Sequence, residues 1–199
     1  MKCALLVVAL TAVVGVACTY DGPELQNCAR IISRAGWGAR PPRQRSNMRT
    51  PVSMVFVHHT AGAFCSSRAR CSATVRNTQR FHMNSRGWSD IGYSFLVGED
   101  GNAYEGRGWT TVGAHTRGYN SQAIAVSVMG NFMSRAPNAA ALRAVQDVIA
   151  CGISRGYIRS NYELFGHRDG GCTACPGDRL YTTIRRWPRF STRQIRKYC

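Results

Sequence analysis

A single α/β domain is the fold class this sequence predicts, with a central mixed β-sheet flanked by about three helices and stapled by disulfides. Three observations carry that expectation. Short β-branched apolar runs alternate with stretches of helical periodicity, which packs helices onto a sheet. The 199 residues hold no internal repeat and no linker-like stretch, and a chain of this length makes one core. Nine cysteines exceed what a reducing compartment favours. An apolar content of 44% is that of a folded protein and excludes a disordered chain. Gly and Pro follow no period, which excludes a collagen-like one.

The elements follow in chain order. Met1-Lys2 is a short positive start, and the run Cys3–Cys18 is apolar except at Thr11 and Gly15. It is shorter than the roughly 20 residues a bilayer span needs and closes on small residues at Val16-Ala17-Cys18. Residues 1–18 therefore read as a secretory signal peptide, leaving 19–199 as one domain. No other stretch is apolar enough to span a membrane, and no Asn-x-Ser/Thr sequon occurs. Residues 19–30 read as a lead-in, and Arg40-Pro-Pro-Arg-Gln-Arg45 as a loop. Val52–Val57 is a buried strand that ends at His58-His59-Thr60-Ala61-Gly62. Cys71–Met83 is a helix with Val75, Thr78, Phe81 and His82 on one face. Tyr93–Val97 and Asn102–Glu105 form a hairpin through Asp100-Gly101. Ile124–Met129 is a second apolar strand. Asn138 caps a helix whose Leu142, Val145 and Ile149 recur at helical spacing. Pro176 occupies the first turn of a last helix ending at Ile184.

Charge narrows the partners. There are 26 basic and 10 acidic residues, a net charge of +16. Only Lys2 and Lys197 are lysines, so the other 24 are arginines. A guanidinium fork binds carboxylate and phosphate in a bidentate way that lysine cannot. Anionic partners such as bacterial wall polymers are favoured, although the arginines are scattered and also suit a solvated surface. Nucleic-acid binding would rest on charge alone and is not expected. A lysozyme-type glycosidase is disfavoured, since none of the ten carboxylates sits in a recognisable acid–nucleophile pair.

Near the C-terminus, His167 is followed by Cys172 and Cys175 in a Cys-x-x-Cys spacing, and His58 and His59 end a strand. Two imidazoles and thiolates are a zinc-type donor set. Two readings are open at this point: a closed structural site using both cysteines, or an open one with three ligands and a water. Without Cys3 and Cys18 the chain keeps seven cysteines, an odd number. Were Cys172 bridged to Cys199, Cys175 alone would remain as thiolate and the site would be the open, catalytic type.

Several segments occur in an order that resembles the peptidoglycan recognition proteins of the short secreted type. They are Ile32-Ser-Arg-Ala-Gly-Trp-Gly-Ala-Arg40, Val57-His-His-Thr-Ala-Gly62, Cys65-x5-Cys71, Gly87-Trp-Ser-Asp-Ile-Gly-Tyr93, Tyr104-Glu-Gly-Arg-Gly-Trp109, Gly113-Ala-His115 and Gly166-His-Arg-Asp169. The resemblance covers roughly residues 28 to 190 and rests on the segments jointly.

The resemblance implies a zinc N-acetylmuramoyl-L-alanine amidase of innate immunity, or a receptor that binds peptidoglycan without cutting it. The amidase pattern maps its zinc ligands to His58, His167 and Cys175, where non-catalytic members commonly carry serine at the last position. Its catalytic tyrosine maps to Tyr93, and a threonine that positions groups maps to Thr173. A zinc held so would lower the pKa of a bound water toward neutrality and polarise the carbonyl joining the lactyl group of N-acetylmuramic acid to L-alanine. Tyr93 would hydrogen-bond the developing oxyanion or the water. Muramyl-peptide contacts map to Thr60, His82, Arg86, Tyr93, His115 and Asn120. Gly87-Trp88 with Arg107 resembles the pattern that prefers diaminopimelate over lysine, whose extra carboxylate a guanidinium can clamp. The family's disulfides imply Cys65 with Cys71 and Cys28 with Cys151; parity adds Cys172 with Cys199. A cationic bactericidal action without catalysis is the remaining alternative.

Overall fold

The computed structural model describes residues 2–5, 16–19, 28 and 30–199. The segment read as a signal peptide therefore lies largely outside the described residues, as does most of the 19–30 lead-in. Of it, β1 (Lys2–Leu5) pairs antiparallel with β2 (Val16–Thr19). The rest of the chain runs β3 (Ile31–Ile32), α1 (Arg34–Trp37), β4 (Val52–His59), α2 (Arg68–Arg80), β5 (Phe95–Val97), β6 (Ala103–Glu105), β7 (Ala123–Val128), α3 (Ala139–Ser154), β8 (Ile158–Gly166), α4 (His167–Gly170) and α5 (Asp178–Ile184).

Six strands form one mixed sheet in the order β3-β6-β5-β7-β4-β8. Only the β5/β6 hairpin is antiparallel; the other neighbours run parallel. Parallel strands covered on both faces carry continuous apolar runs, and every residue of β7 is buried. Among the described residues the three substantial helices are α2, α3 and α5, joined by the single turns α1 and α4. Among the described residues no helix is long and apolar enough to cross a membrane.

Alternation along β4 sorts its side chains to two sides. Val55 and Val57 join Val126, Val145, Ile149 and Leu180 in the core beneath α3. Met54 and Phe56 pack with Tyr119, Ala123 and Phe165 on the other side. A further cluster of Trp37, Val75, Ile91, Leu96 and Tyr104 seats α1 and α2 on the sheet. Each such side chain contributes about 1.5–3 kcal/mol when fully buried.

Several element boundaries differ from the sequence expectation, each for a local reason. β4 continues through both histidines, because His58 and His59 go on pairing with Ser127 and Val128 of β7. α2 starts earlier, at Arg68, where the Ser67 hydroxyl accepts the Arg70 amide at 3.5 Å. It gives way after Arg80 to a π-helical turn over Phe81–Ser85, which carries His82. Asn138 caps α3 as expected, its Oδ1 accepting the Ala141 amide at 2.8 Å. Pro176 is not in the first turn of α5. Gly177, at φ 91°, is the cap residue and the helix begins at Asp178, whose carboxylate suits the N-terminal end of the dipole. β8 carries no apolar run in its first half, where Arg159, Ser160 and Asn161 are exposed, so the sequence expectation contains no strand there.

Among the described residues, three disulfides join Cys28 to Cys151, Cys65 to Cys71 and Cys172 to Cys199, and Cys175 is a free thiol.

Candidate metal centre and cleft

Period-two alternation separates the paired histidines of β4. His58 continues the Met54/Phe56 side and is 1% exposed. His59 continues the Val55/Val57 side, and its Nδ1 accepts the Phe132 amide at 3.2 Å. Only His58 of the two lines the cleft. His167 reaches the same point through topology. β8 lies parallel to β4 with Gly166 opposite Val57, so the next residue of each strand lands side by side. Their imidazole centroids are 4.4 Å apart.

Cys175 arrives from a loop held at both ends. The Arg168 amide donates to the Cys175 carbonyl at 2.9 Å, while the Arg168 guanidinium bonds the Ala174 carbonyl and pairs with Asp178 at 2.9 Å. The Thr173 hydroxyl accepts the Cys175 amide at 3.1 Å. The sulfur accepts the His59 backbone N–H at 3.3 Å and lies 3.8 Å from His58 Nδ1. Donor atoms of His58, His167 and Cys175 all fall within 4.8 Å of one another. Cys172 is committed to its disulfide with Cys199, so the closed reading with both cysteines as ligands does not apply.

The donor chemistry suits a borderline-soft divalent cation. Burial lowers His58 well below its usual value and brings His167 to about 4, so both imidazoles are neutral at physiological pH and have lone pairs to give. Burial pushes the Cys175 thiol up to about 12, opposed by the His59 amide and by Arg168. A cation among these three atoms would draw off the thiol proton. Two imidazoles and one thiolate, with space left for a fourth ligand, is the open zinc pattern.

This cluster forms one end of a cleft of about 520 Å³. Thr60 borders it beside the metal donors, its hydroxyl accepting the Gly130 amide at 2.9 Å. Tyr93 stands with its ring 5.4 Å from that of His58 and 5.6 Å from that of His82. Burial raises the Tyr93 pKa, and the Cys175 sulfur raises it further, so the phenol stays protonated. His82 accepts the Gly92 amide on Nδ1 at 3.0 Å, which leaves its proton on Nε2; its ring lies 4.6 Å from that of Trp88. Arg86 and Trp88 form the wall beside it. Gly87 adopts φ +71° with nothing within 4 Å of where a Cβ would sit, so backbone conformation is what calls for glycine there. Behind that wall, Asp90 pairs with Arg34 at 2.9 Å and accepts from Gln79 at 2.7 Å, fastening the loop before Tyr93 to α1 and α2.

A model of the N-acetylmuramoyl-L-alanine amidase family matches residues 48–178, a stretch that contains all three donors. The chain belongs to that family. Within it, the chain groups with the peptidoglycan recognition proteins. It is 50% identical over 166 residues to peptidoglycan recognition protein 1 of Bos taurus, covering 83% of this chain and 87% of that one. It is 45% identical over 168 residues to the human N-acetylmuramoyl-L-alanine amidase, covering 82% of this chain but 29% of that longer protein. Among solved structures, peptidoglycan recognition protein-LE in complex with tracheal cytotoxin, a monomeric diaminopimelic acid-type peptidoglycan, superposes with a TM-score of 0.81 at 44% identity. That match covers 82% of this chain and 96% of the other.

The remaining residues that the family pattern assigned are placed less uniformly. His115 lines the cleft and is 8% exposed. Asn120 turns its Oδ1 to the amides of His115 and Thr116, at 2.8 and 2.9 Å, so it holds the loop that presents His115. Arg107 sits behind the wall and borders a second, smaller cavity; its Nε and Nη1 donate to the carbonyls of Ile91 and Val112, each at 2.7 Å. Its influence still reaches the cleft, since its charge helps to lower His82, though less than burial and Arg86 do. Sequence reasoning passed over Asn77 and Thr74, which border the cleft with Thr78 and Phe81. Thr74 and Asn77 stand at helical spacing from Thr78 and Phe81, but as polar residues they add nothing to an apolar periodicity.

Proposed function

We propose that this chain is a secreted zinc-dependent N-acetylmuramoyl-L-alanine amidase that binds bacterial peptidoglycan and hydrolyses the lactyl–L-alanine amide bond in innate immunity. The observation that carries this reading is the convergence of His58, His167 and Cys175 donor atoms within 4.8 Å at one end of a peptide-sized cleft. Zinc held there supplies Lewis-acid polarisation of the amide carbonyl and acidifies a water.

The chain's own groups account for the rest. Tyr93, held neutral by burial, presents a phenolic O–H for the oxygen on which charge develops. Thr173 keeps Cys175 in place by accepting its backbone N–H. A neutral hydroxyl is a poor base, so positioning is its role. Thr60, His82, Arg86, Trp88 and His115 offer the cleft-side contacts for the muramyl peptide. A preference for diaminopimelate is supported by Gly87-Trp88 and by Arg107, whose Nη2 carries no hydrogen bond among the described residues while Nε and Nη1 anchor the side chain. Secretion is supported by the apolar Cys3–Cys18 run and by the three disulfides, which need an oxidising compartment. The net charge of +16 favours contact with anionic wall polymers as well.

The test is release of free stem peptides from purified diaminopimelate-type peptidoglycan by the secreted protein, with zinc, with a chelator, and with Cys175→Ser. Zinc-dependent release that the variant lacks is expected. Folded, zinc-loaded protein that binds the polymer and releases nothing would leave a binding-only receptor in its place.

A further inference from the structure

Three large apolar side chains stand exposed among the described residues: Phe64 at 42%, Phe81 at 50% and Met133 at 38%. Two of them, Phe64 and Met133, come from the loops that leave β4 and β7, beyond the carboxyl ends of those parallel strands. That is the end of the sheet at which His58 and His167 meet. Gly62 and Ala63, just before Phe64, line the cleft itself.

A lone exposed phenylalanine is ordinary, but this one is fixed in place. The Arg135 guanidinium lies over the Phe64 ring, 3.7 Å from its centroid. Glu99 holds that guanidinium through two hydrogen bonds of 2.8 and 2.7 Å. Phe132, fully buried, meets Phe64 edge to face with centroids 5.4 Å apart. Gly130 leaves the space that the ring uses, since a Cβ there would collide with Phe64 Cδ1. The Gly130 amide also donates to Thr60 Oγ1 at 2.9 Å, which ties the ring's surroundings to the cleft wall. On the other side Cys65 is buried and bridged to Cys71, so the chain is pinned there too.

We infer that Phe64 and Met133 form a sugar subsite. It is a platform for an N-acetylated pyranose of the glycan strand, next to the muramyl residue whose stem peptide fills the cleft. This deepens the peptidoglycan reading above and rests on it for the identity of the sugar. The amide to be cut joins a sugar to a peptide. With the peptide along Arg86 and Trp88 and the amide at the metal donors, the strand leaves past the metal end, where Phe64 stands. A pyranose presents a face of C–H groups, which matches the electron-rich face of an aromatic ring. Asn131 Oδ1 accepts the Met133 amide at 3.2 Å, and the Asn131 NH2 has no partner among the described residues, so it can donate to a sugar hydroxyl or acetamide oxygen. Met133 gives an adaptable apolar surface for an acetamide methyl. The patch is two side chains wide, short of the roughly 1,000 Å² that a stable protein partner needs, whereas one sugar ring covers it.

The experiment varies glycan length on the full-length secreted protein, kept in chelator so that no amide is cut. The probes are a muramyl tripeptide with one sugar, a short strand of disaccharides carrying one such stem, and a peptide-free N-acetylglucosamine tetramer. Phe64→Ala is expected to weaken the strand by ~10-fold and to leave the one-sugar probe within about twofold. Phe64→Tyr, which keeps the ring, should bind both as wild type does. Saturation transfer from aromatic protons of the protein should reach the ring C–H protons of the tetramer and be lost in Phe64→Ala. Equal loss on the one-sugar probe and the strand overturns the inference. So does a folded Phe64→Ala that binds the strand like wild type. Should Phe64→Ala not fold, Met133→Ala decides on the same two probes, with a loss of ~3-fold expected on the strand alone. A wild type that binds neither stem-bearing probe would sink the peptidoglycan reading; transfer to the tetramer that depends on Phe64 would then still assign a sugar platform.

Discussion

The backbone N–H of His59 points at Cys175 Sγ from 3.3 Å, although the two residues are 116 positions apart. The same strand therefore supplies one metal donor, through the side chain of His58, and stabilises another through the next amide. A thiolate accepting a backbone N–H is held both in place and in charge. Cys175→Ser is expected to keep the fold, since the residue lies in a loop secured by Arg168 and Thr173. It should lose zinc affinity by about 100-fold or more, because a serine hydroxyl stays protonated where a thiol ionises. Equilibrium dialysis against zinc checks it, with circular dichroism as the control for folding.

Zinc uptake should release about one proton between pH 6 and pH 8. The sign follows from the ligands. His167, lowered to about 4, and His58, lowered by burial, are already deprotonated across that window. The Cys175 thiol, raised to about 12, is still protonated and must lose its proton to bind. Apparent affinity should thus rise by about tenfold per pH unit. Calorimetric titration in two buffers of different ionisation enthalpy measures the proton count; a count near zero would contradict the burial of the thiol.

Tyr93→Phe should lower kcat by ~100- to 1000-fold and change KM little. On the proposed amidase reading, the phenol is a protonated donor to an oxygen that would gain charge during the reaction, so its loss would be felt after binding. The ring packing against His58 and His82 is retained in phenylalanine. Steady-state kinetics on a soluble muramyl peptide separates the two parameters.

Arg107→Lys should reduce binding of a diaminopimelate-type muramyl peptide by about tenfold while leaving a lysine-type peptide within a few-fold. Lysine keeps the charge but cannot hold the Ile91 and Val112 carbonyls and a ligand carboxylate at once. Paired calorimetric titrations give the ratio, and an equal loss for both peptides would assign Arg107 to scaffolding alone.

Replacing Cys28 and Cys151 together by serine should cost ~2–5 kcal/mol of stability. Their bridge spans 123 residues and ties the chain before β3 to the buried side of α3. Zinc affinity should be unchanged, since neither cysteine is near the donor set. Denaturant melts of the oxidised wild type and the double variant measure the difference.

Local sequence signals set the class of the fold and the kinds of groups available to the site. Apolar runs in β4 and β7 and the Asn138 cap of α3 are local signals, set by side-chain burial and hydrogen bonding within a few residues. The seven cysteines after Cys18 left one thiol over by arithmetic, and the segment order carried the family. The sequence did not show β8, because its first half faces solvent. It did not show the π-helical turn that seats His82. Which of the adjacent histidines turns to His167 and Cys175 was decided by tertiary structure: strand alternation makes their sides opposite, and only the packing of α3 against one side leaves the other to form the cleft. The same holds for Cys175. Its partner His59 lies 116 residues away, and the parallel registers of β4, β7 and β8 carry such distant positions to hydrogen-bonding range, where burial makes the imidazoles neutral.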